Sequence, residues 1–401
     1  MSVTTSETAA RDVATGMRGT SGRTGMSRSM TLGRAVAPWA ALAVAFLQTA
    51  GCAGLPQVTY HLPGTVLVPH AAAGIEDRSA EYGAMFCSVL GHVGAEGGPW
   101  GACADYIETA GAADPDLPVL STDYRILVIP GILGQCFSPK LQTLSDALAH
   151  LRETHGLTAE YFDVPALGSC EHNAGVIASY LRERLSTDAR KYIVVGYSKG
   201  GCDAMTALVD FPEVREAVAA LITVAAPVGG SRLPDVTPKY MLRSVDRLMK
   251  LGHCERGDGG GLESVRRPVR QAFLRDHPGP IVPTYSLVAV SEEESTTRLL
   301  KPFWRKLSRI SLDEDAQVIA SEGVPPGARF LGVLRADHWA IGMPFELSED
   351  ATTRKLFDQN HFPRIALLEA AIRIVVADLT APSPRADSGR RPPAVAACAR
   401  R

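Results

Sequence analysis

From residue 124 onward, apolar positions fall into two alternating rhythms. Short unbroken apolar runs occur in "YRILVIPG" (124–131), "TAEYFDVPA" (158–166), "KYIVVGY" (191–197), "VAALITVAAP" (218–227), "PTYSLVAV" (283–290) and "RFLGVLRADH" (329–338). Between them, apolar residues recur at helical spacing in 138–156, 172–186 and 199–212, and "FPRIALLEAAIRIVVADL" (362–379) reads as a long closing helix. Ser138 and Gly156 stand where a cap and a stop belong, and Pro212 ends the third helix. Strands apolar along their whole length, separated by amphipathic helices, predict a mostly parallel central sheet covered by helices on both faces. Residues 231–282 interrupt the alternation with charge-rich amphipathic pieces and are expected to form a helical cap or lid.

Composition narrows the function classes without choosing one. Of 401 residues, 46% are hydrophobic and 21% charged, and the formal net charge is −2. That balance gives no field attracting nucleic acid, and aromatic residues at 6% offer no stacking platform for bases. No CxxC pair, HExxH or EF-hand loop is present, so neither a metal nor an organic cofactor is implied.

The amino-terminal part predicts export. Arg28 and Arg34 precede "AVAPWAALAVAFLQTAGC" (35–52), a short apolar stretch interrupted by Pro38 and ending in small residues. It falls short of the ~20 apolar residues of a membrane span and has the plan of a secretory signal. "TAGC" (49–52) resembles a bacterial lipobox, with Thr49 where that pattern prefers leucine; the resemblance implies lipidation of Cys52 and a membrane anchor. The expected organisation is a leader and signal over 1–51, a linker over 52–80, a globular domain over 81–380 and a Pro/Arg-rich tail over 381–401. A cell-envelope or secreted location follows.

Six cysteines remain once Cys52 and Cys398 are set aside, an even number suited to an oxidising compartment. Cys87 and Cys103 lie in one short helix–loop segment and are the first expected pair. Cys136 and Cys170 each follow a strand end and are expected to meet across neighbouring loops. Cys202 and Cys254 read as small buried apolar residues.

Candidate chemistry centres on "VVGYSKGGCDAM" (194–205), where a serine stands between two glycines at a strand-to-helix junction. Such a turn lifts the hydroxyl of Ser198 out of the sheet as a nucleophile, and Gly196 and Gly200 leave room for the strained backbone. A serine hydroxyl is a weak nucleophile and needs a base. His338, directly after the last apolar run and before a Gly/Pro loop, is the best placed of ten histidines. Two acidic clusters compete to orient it. "SEEES" (291–295), holding Glu292 and Glu293, follows a strand at once, and "DEDAQV" (313–318) comes later. Asp337, beside the base, reads as a loop residue.

Taken in order, "PGILGQC", "GYSKGG", "DEDAQV" and "RADHWAIG" resemble the α/β-hydrolase superfamily, particularly bacterial lipases and esterases, over about residues 124–380. The resemblance implies Asp315 as the acid, ahead of Asp313 and Glu292, with Ala316 where those lipases usually carry glycine. It also implies an oxyanion site built from the main-chain N–H groups of Lys199 and Ile132, with Pro130 where histidine is commoner. The Lys199 side chain is expected to face solvent. The implied activity is cleavage of carboxylic esters with hydrophobic or lipid substrates. The same machinery would also serve an acyltransferase, thioesterase or amidase, and the fold can persist in a silent envelope protein.

Overall fold

The computed structural model describes residues 74–95, 100–114, 116–120, 122–237 and 254–381. The proposed signal, Cys52, the tail and the middle of the expected cap (238–253) lie outside these residues. Seven strands form one sheet: β1 (Glu76–Asp77), β2 (Arg125–Ile129), β3 (Ala159–Tyr161), β4 (Tyr192–Tyr197), β5 (Val218–Val224), β6 (Thr284–Val290) and β7 (Arg329–Arg335). Their order is β1-β7-β6-β5-β4-β2-β3, and every pairing is parallel. Parallel neighbours need crossovers, and the helices supply them. The principal helices are α1 (Ser79–Ala95), α2 (Ser145–His155), α3 (Cys170–Leu185), α4 (Lys199–Asp210), α5 (Arg267–Asp276), α6 (Lys301–Leu307) and α7 (Arg364–Thr380).

The apolar runs of the central strands β2, β4 and β5 are continuous because these strands face two cores. Along β2, Ile126 and Val128 enter a core shared with α1, α2 and α7, whereas Leu127 and Ile129 enter a second one with α3 and α4. The same period of two splits Ile193 and Val195 from Val194 on β4. All seven of these residues are at most 2% exposed, so both faces are dry. Among the described residues, no helix is long and apolar enough to cross a membrane.

Three sequence expectations change at element ends. The domain starts before residue 81, because Glu76 and Asp77 pair with Arg329 and Phe330 at the sheet edge. Only Ser145–His155 of the run 138–156 is α-helical: Pro139–Leu141 is a 3-10 turn, Leu144 takes a positive φ, and its N–H is held by the Gly342 carbonyl. Gly156 does end the helix, at φ 66°. Strand β3 stops at Tyr161, where its pairing with β2 runs out.

The cysteine pattern is also corrected in part. Cys87 bonds Cys103 as expected, but Cys136 bonds Cys254 rather than Cys170. Main-chain bonds from Ala166 N–H to Glu255 O (2.8 Å) and Leu167 N–H to Arg256 O (3.2 Å) lay residues 254–256 beside the loop after β3. Gln135 Oε1 accepts from the Glu255 N–H at 2.9 Å, so Cys254 reaches its neighbour Cys136. Cys170 instead opens α3 and packs, buried and reduced, against Cys202 and Val265.

Candidate active site

The carboxyl ends of β2, β4, β6 and β7 bring the predicted residues together. At the end of β4, Ser198 takes φ 53° and ψ −131°, a conformation that costs of order 1–3 kcal/mol for a residue with a side chain. The turn is held by Ser198 N–H donating to Val224 O at 2.9 Å and by Gly201 N–H donating to Ser198 O at 3.1 Å. Helix α4 starts at the next residue, so its positive end lies at the serine.

Glycines make the turn possible. A β-carbon on Gly196 would lie 2.4 Å from the Gly201 Cα, and one on Gly200 would lie 2.3 Å from the Ile129 carbonyl oxygen. Both obstacles are main chain, which cannot swing aside. Gly201 is a third such position, with the Ala226 Cβ at 2.6 Å, and the motif spacing alone does not mark it.

His338 Nε2 stands 2.8 Å from Ser198 Oγ, and His338 Nδ1 stands 2.8 Å from Asp315 Oδ2. A carboxylate only accepts, so Nδ1 carries the proton toward Asp315 and Nε2 is left to accept from the serine hydroxyl. The rest of the site fixes this line. Asp315 Oδ1 accepts from the N–H groups of Gln317 (2.9 Å) and Val318 (2.7 Å), and His338 N–H donates to Asp315 O at 2.8 Å. The Tyr197 hydroxyl donates to the His338 carbonyl, and its ring lies against the imidazole at 5.2 Å. His338 and Asp315 are 2% and 1% exposed, whereas Ser198 is only half-buried and is the open end of the chain.

The rival acids are elsewhere occupied. Glu293 is ion-paired with Arg305 at 2.5 Å, and Glu292 and Asp313 are exposed. Asp337 is a loop staple: Oδ1 accepts from the Trp339 and Ala340 amides, and Oδ2 from Thr297 N–H at 2.6 Å. Glu314, next to Asp315, is wholly buried; burial pushes its carboxyl up to about 9, so it is neutral.

The loop after β2 presses on the serine. A β-carbon on Gly131 would lie 2.7 Å from the Ser198 Cβ and 3.1 Å from its Oγ, which leaves room there for glycine alone. Ile132 follows it in the chain. Ile132 and Leu133 pack with Ala166 and Leu167 in an apolar cluster.

Lys199 differs from its expectation. Its side chain is 3% exposed and ion-paired with Asp203 one turn on, and Asn173 Nδ2 donates to the other Asp203 oxygen at 2.8 Å. Burial alone would lower the Lys199 pKa; Asp203 more than offsets it, and the lysine stays charged. The i,i+4 spacing of Lys199 and Asp203 is the sequence signal for this pair.

Among the solved structures similar to this chain is one that it covers almost completely. It is the metagenomic carboxyl esterase MGS0156, at 29% identity and TM-score 0.72, over 84% of this chain and 99% of that one. The chain has the α/β-hydrolase fold. Two further matches are Bacillus licheniformis lipase BlEst2 in mature form and EstA from Clostridium botulinum. The first is 21% identical over 56% of this chain and 89% of that one, with TM-score 0.44. The second is 10% identical over 64% and 89%, also with TM-score 0.44. No family model and no curated protein matches the sequence.

Proposed function

We propose that this α/β-hydrolase cleaves carboxylic esters through an acyl-enzyme on Ser198. The observation that carries the reading is the unbroken hydrogen-bonded line Ser198–His338–Asp315 ending on a strained, half-open serine. His338 takes the serine proton as Oγ attacks the ester carbonyl. Asp315 holds the Nδ1–H tautomer and stabilises the imidazolium that forms. The tetrahedral oxygen is received by the N–H groups of Lys199 and Ile132, each contributing about 3 kcal/mol. His338 then returns the proton to the departing alcohol, and water reverses the sequence to release the acid. Likeness to the carboxyl esterase supports the ester as substrate.

The Ile132–Leu133–Ala166–Leu167 cluster supports a hydrophobic acyl or alcohol group. The two disulfides fit an oxidising compartment. Together with the signal-like stretch ending at Cys52, they support an exported, lipid-anchored enzyme acting on lipid or other hydrophobic esters. The test is hydrolysis of a series of p-nitrophenyl esters from short to long acyl chains. Turnover is expected in the wild type, rising toward medium or long chains, and is expected to vanish in Ser198→Ala. Equal rates in the variant would refute the mechanism. Product analysis with competing alcohols and amines separates hydrolysis from acyl transfer.

A further inference from the structure

Away from the serine, three ligand-type side chains converge between α2 and α7. His150 Nε2 and His155 Nε2 approach the same oxygen, Glu369 Oε2, at 2.9 Å and 3.1 Å. The three donor atoms lie within 4.8 Å of one another. Two ligands about 2.0–2.1 Å from a tetrahedral ion sit roughly 3.3 Å apart, close to these separations.

The surroundings suit a cation. Glu369 is 4% exposed, and its other oxygen, Oε1, accepts from Arg373 Nε at 2.8 Å, which orients the carboxylate and leaves Oε2 for the imidazoles. Thr154 Oγ1 lies 3.2 Å from His150 Nδ1. His155 Nε2 is buried and forms no hydrogen bond despite its closeness to Oε2, because it is not aimed at that oxygen. A cation between the three atoms gives the unbonded His155 Nε2 a partner.

We propose that His150, His155 and Glu369 bind one divalent transition-metal ion of the Zn²⁺ class, completed by water, which clamps α2 to α7. The histidines supply borderline nitrogen ligands and Glu369 a single oxygen, the donor set that favours zinc over magnesium or calcium. The Thr154 and Arg373 contacts are the outer partners that orient such ligands. The Arg373 charge opposes a second positive ion, so affinity on the order of micromolar is expected rather than nanomolar.

The test is calorimetric titration of Zn²⁺ into the full-length protein after dialysis against EDTA. One equivalent should bind, with a rise in the thermal midpoint. His150→Ala and His155→Ala should each weaken binding at least tenfold, with circular dichroism confirming the fold; His155→Asn provides a second variant if His155→Ala is unfolded. Co²⁺ should give the intense visible absorption of a tetrahedral site in the wild type and lose it in the variants. Absence of saturable one-to-one binding by about 100 µM Zn²⁺, or folded variants that bind as the wild type does, would overturn the proposal.

Discussion

Asp315 makes hydrogen bonds through both carboxylate oxygens, one to the His338 ring and one to two main-chain N–H groups of its own turn. An asparagine there keeps the size but presents an amide that favours the wrong imidazole tautomer. Asp315→Asn is therefore expected to lower kcat about 10⁴-fold with little change in KM, read from steady-state ester hydrolysis. Glu292→Gln in the rival loop should leave kcat within about twofold, since that side chain is exposed. At this scale the sequence was uneven. Ser198 and His338 stood out because each sits at a strand end, where backbone and order restrict the choice. Asp315 could be chosen only by likeness to lipases, because a solvated Glu run and a buried aspartate look equally acidic in one dimension. Ala316 shows why: it takes φ 75°, a glycine-like conformation that no alanine announces.

The strand–turn–helix that carries Ser198 is an element-scale device, and the first turn of its helix α4 holds the buried Lys199–Asp203 pair. Both side chains are buried and burial pushes the Asp203 carboxyl up, so removal of Lys199 leaves an unpaired acid in a dry site. Lys199→Met alone should destabilise by roughly 3–5 kcal/mol in urea unfolding, while the double change Lys199→Met with Asp203→Leu should cost less than the single one. The strands were legible because two dry faces demand unbroken apolar runs, and the crossover helices because they carry apolar stripes. Helix starts were less so. The stretch 138–144 has helical spacing, yet Pro139 and the Leu144 bond to Gly342 delay α2 until Ser145. Burial of Lys199 escaped notice because a lysine reads as surface until its partner one turn away is seen in place.

Across the whole molecule, the Cys136–Cys254 bond joins the loop beside the serine to the insertion, 118 residues later in the chain. Loop-closure entropy of that length is worth up to about 5 kcal/mol. Cys136→Ala with Cys254→Ala should lower the denaturant midpoint accordingly. It should also reduce ester turnover, because Ile132 and the 254–256 strip then lose their tie. No spacing rule could have found this pair, since it depends on how the insertion folds back across the β3–α3 loop. By contrast, Cys87 and Cys103 are close in the chain, and nearness was enough.

In the proposed mechanism, Ser198 is the activated nucleophile of a Ser–His–Asp line. Its most direct test is treatment of the folded protein with a fluorophosphonate, followed by mass analysis of the peptide spanning residues 191–215. One adduct on Ser198 is predicted, forming rapidly in the wild type and orders of magnitude more slowly in His338→Ala. An unlabelled Ser198 in folded protein, or labelling that proceeds equally well without His338, would contradict it.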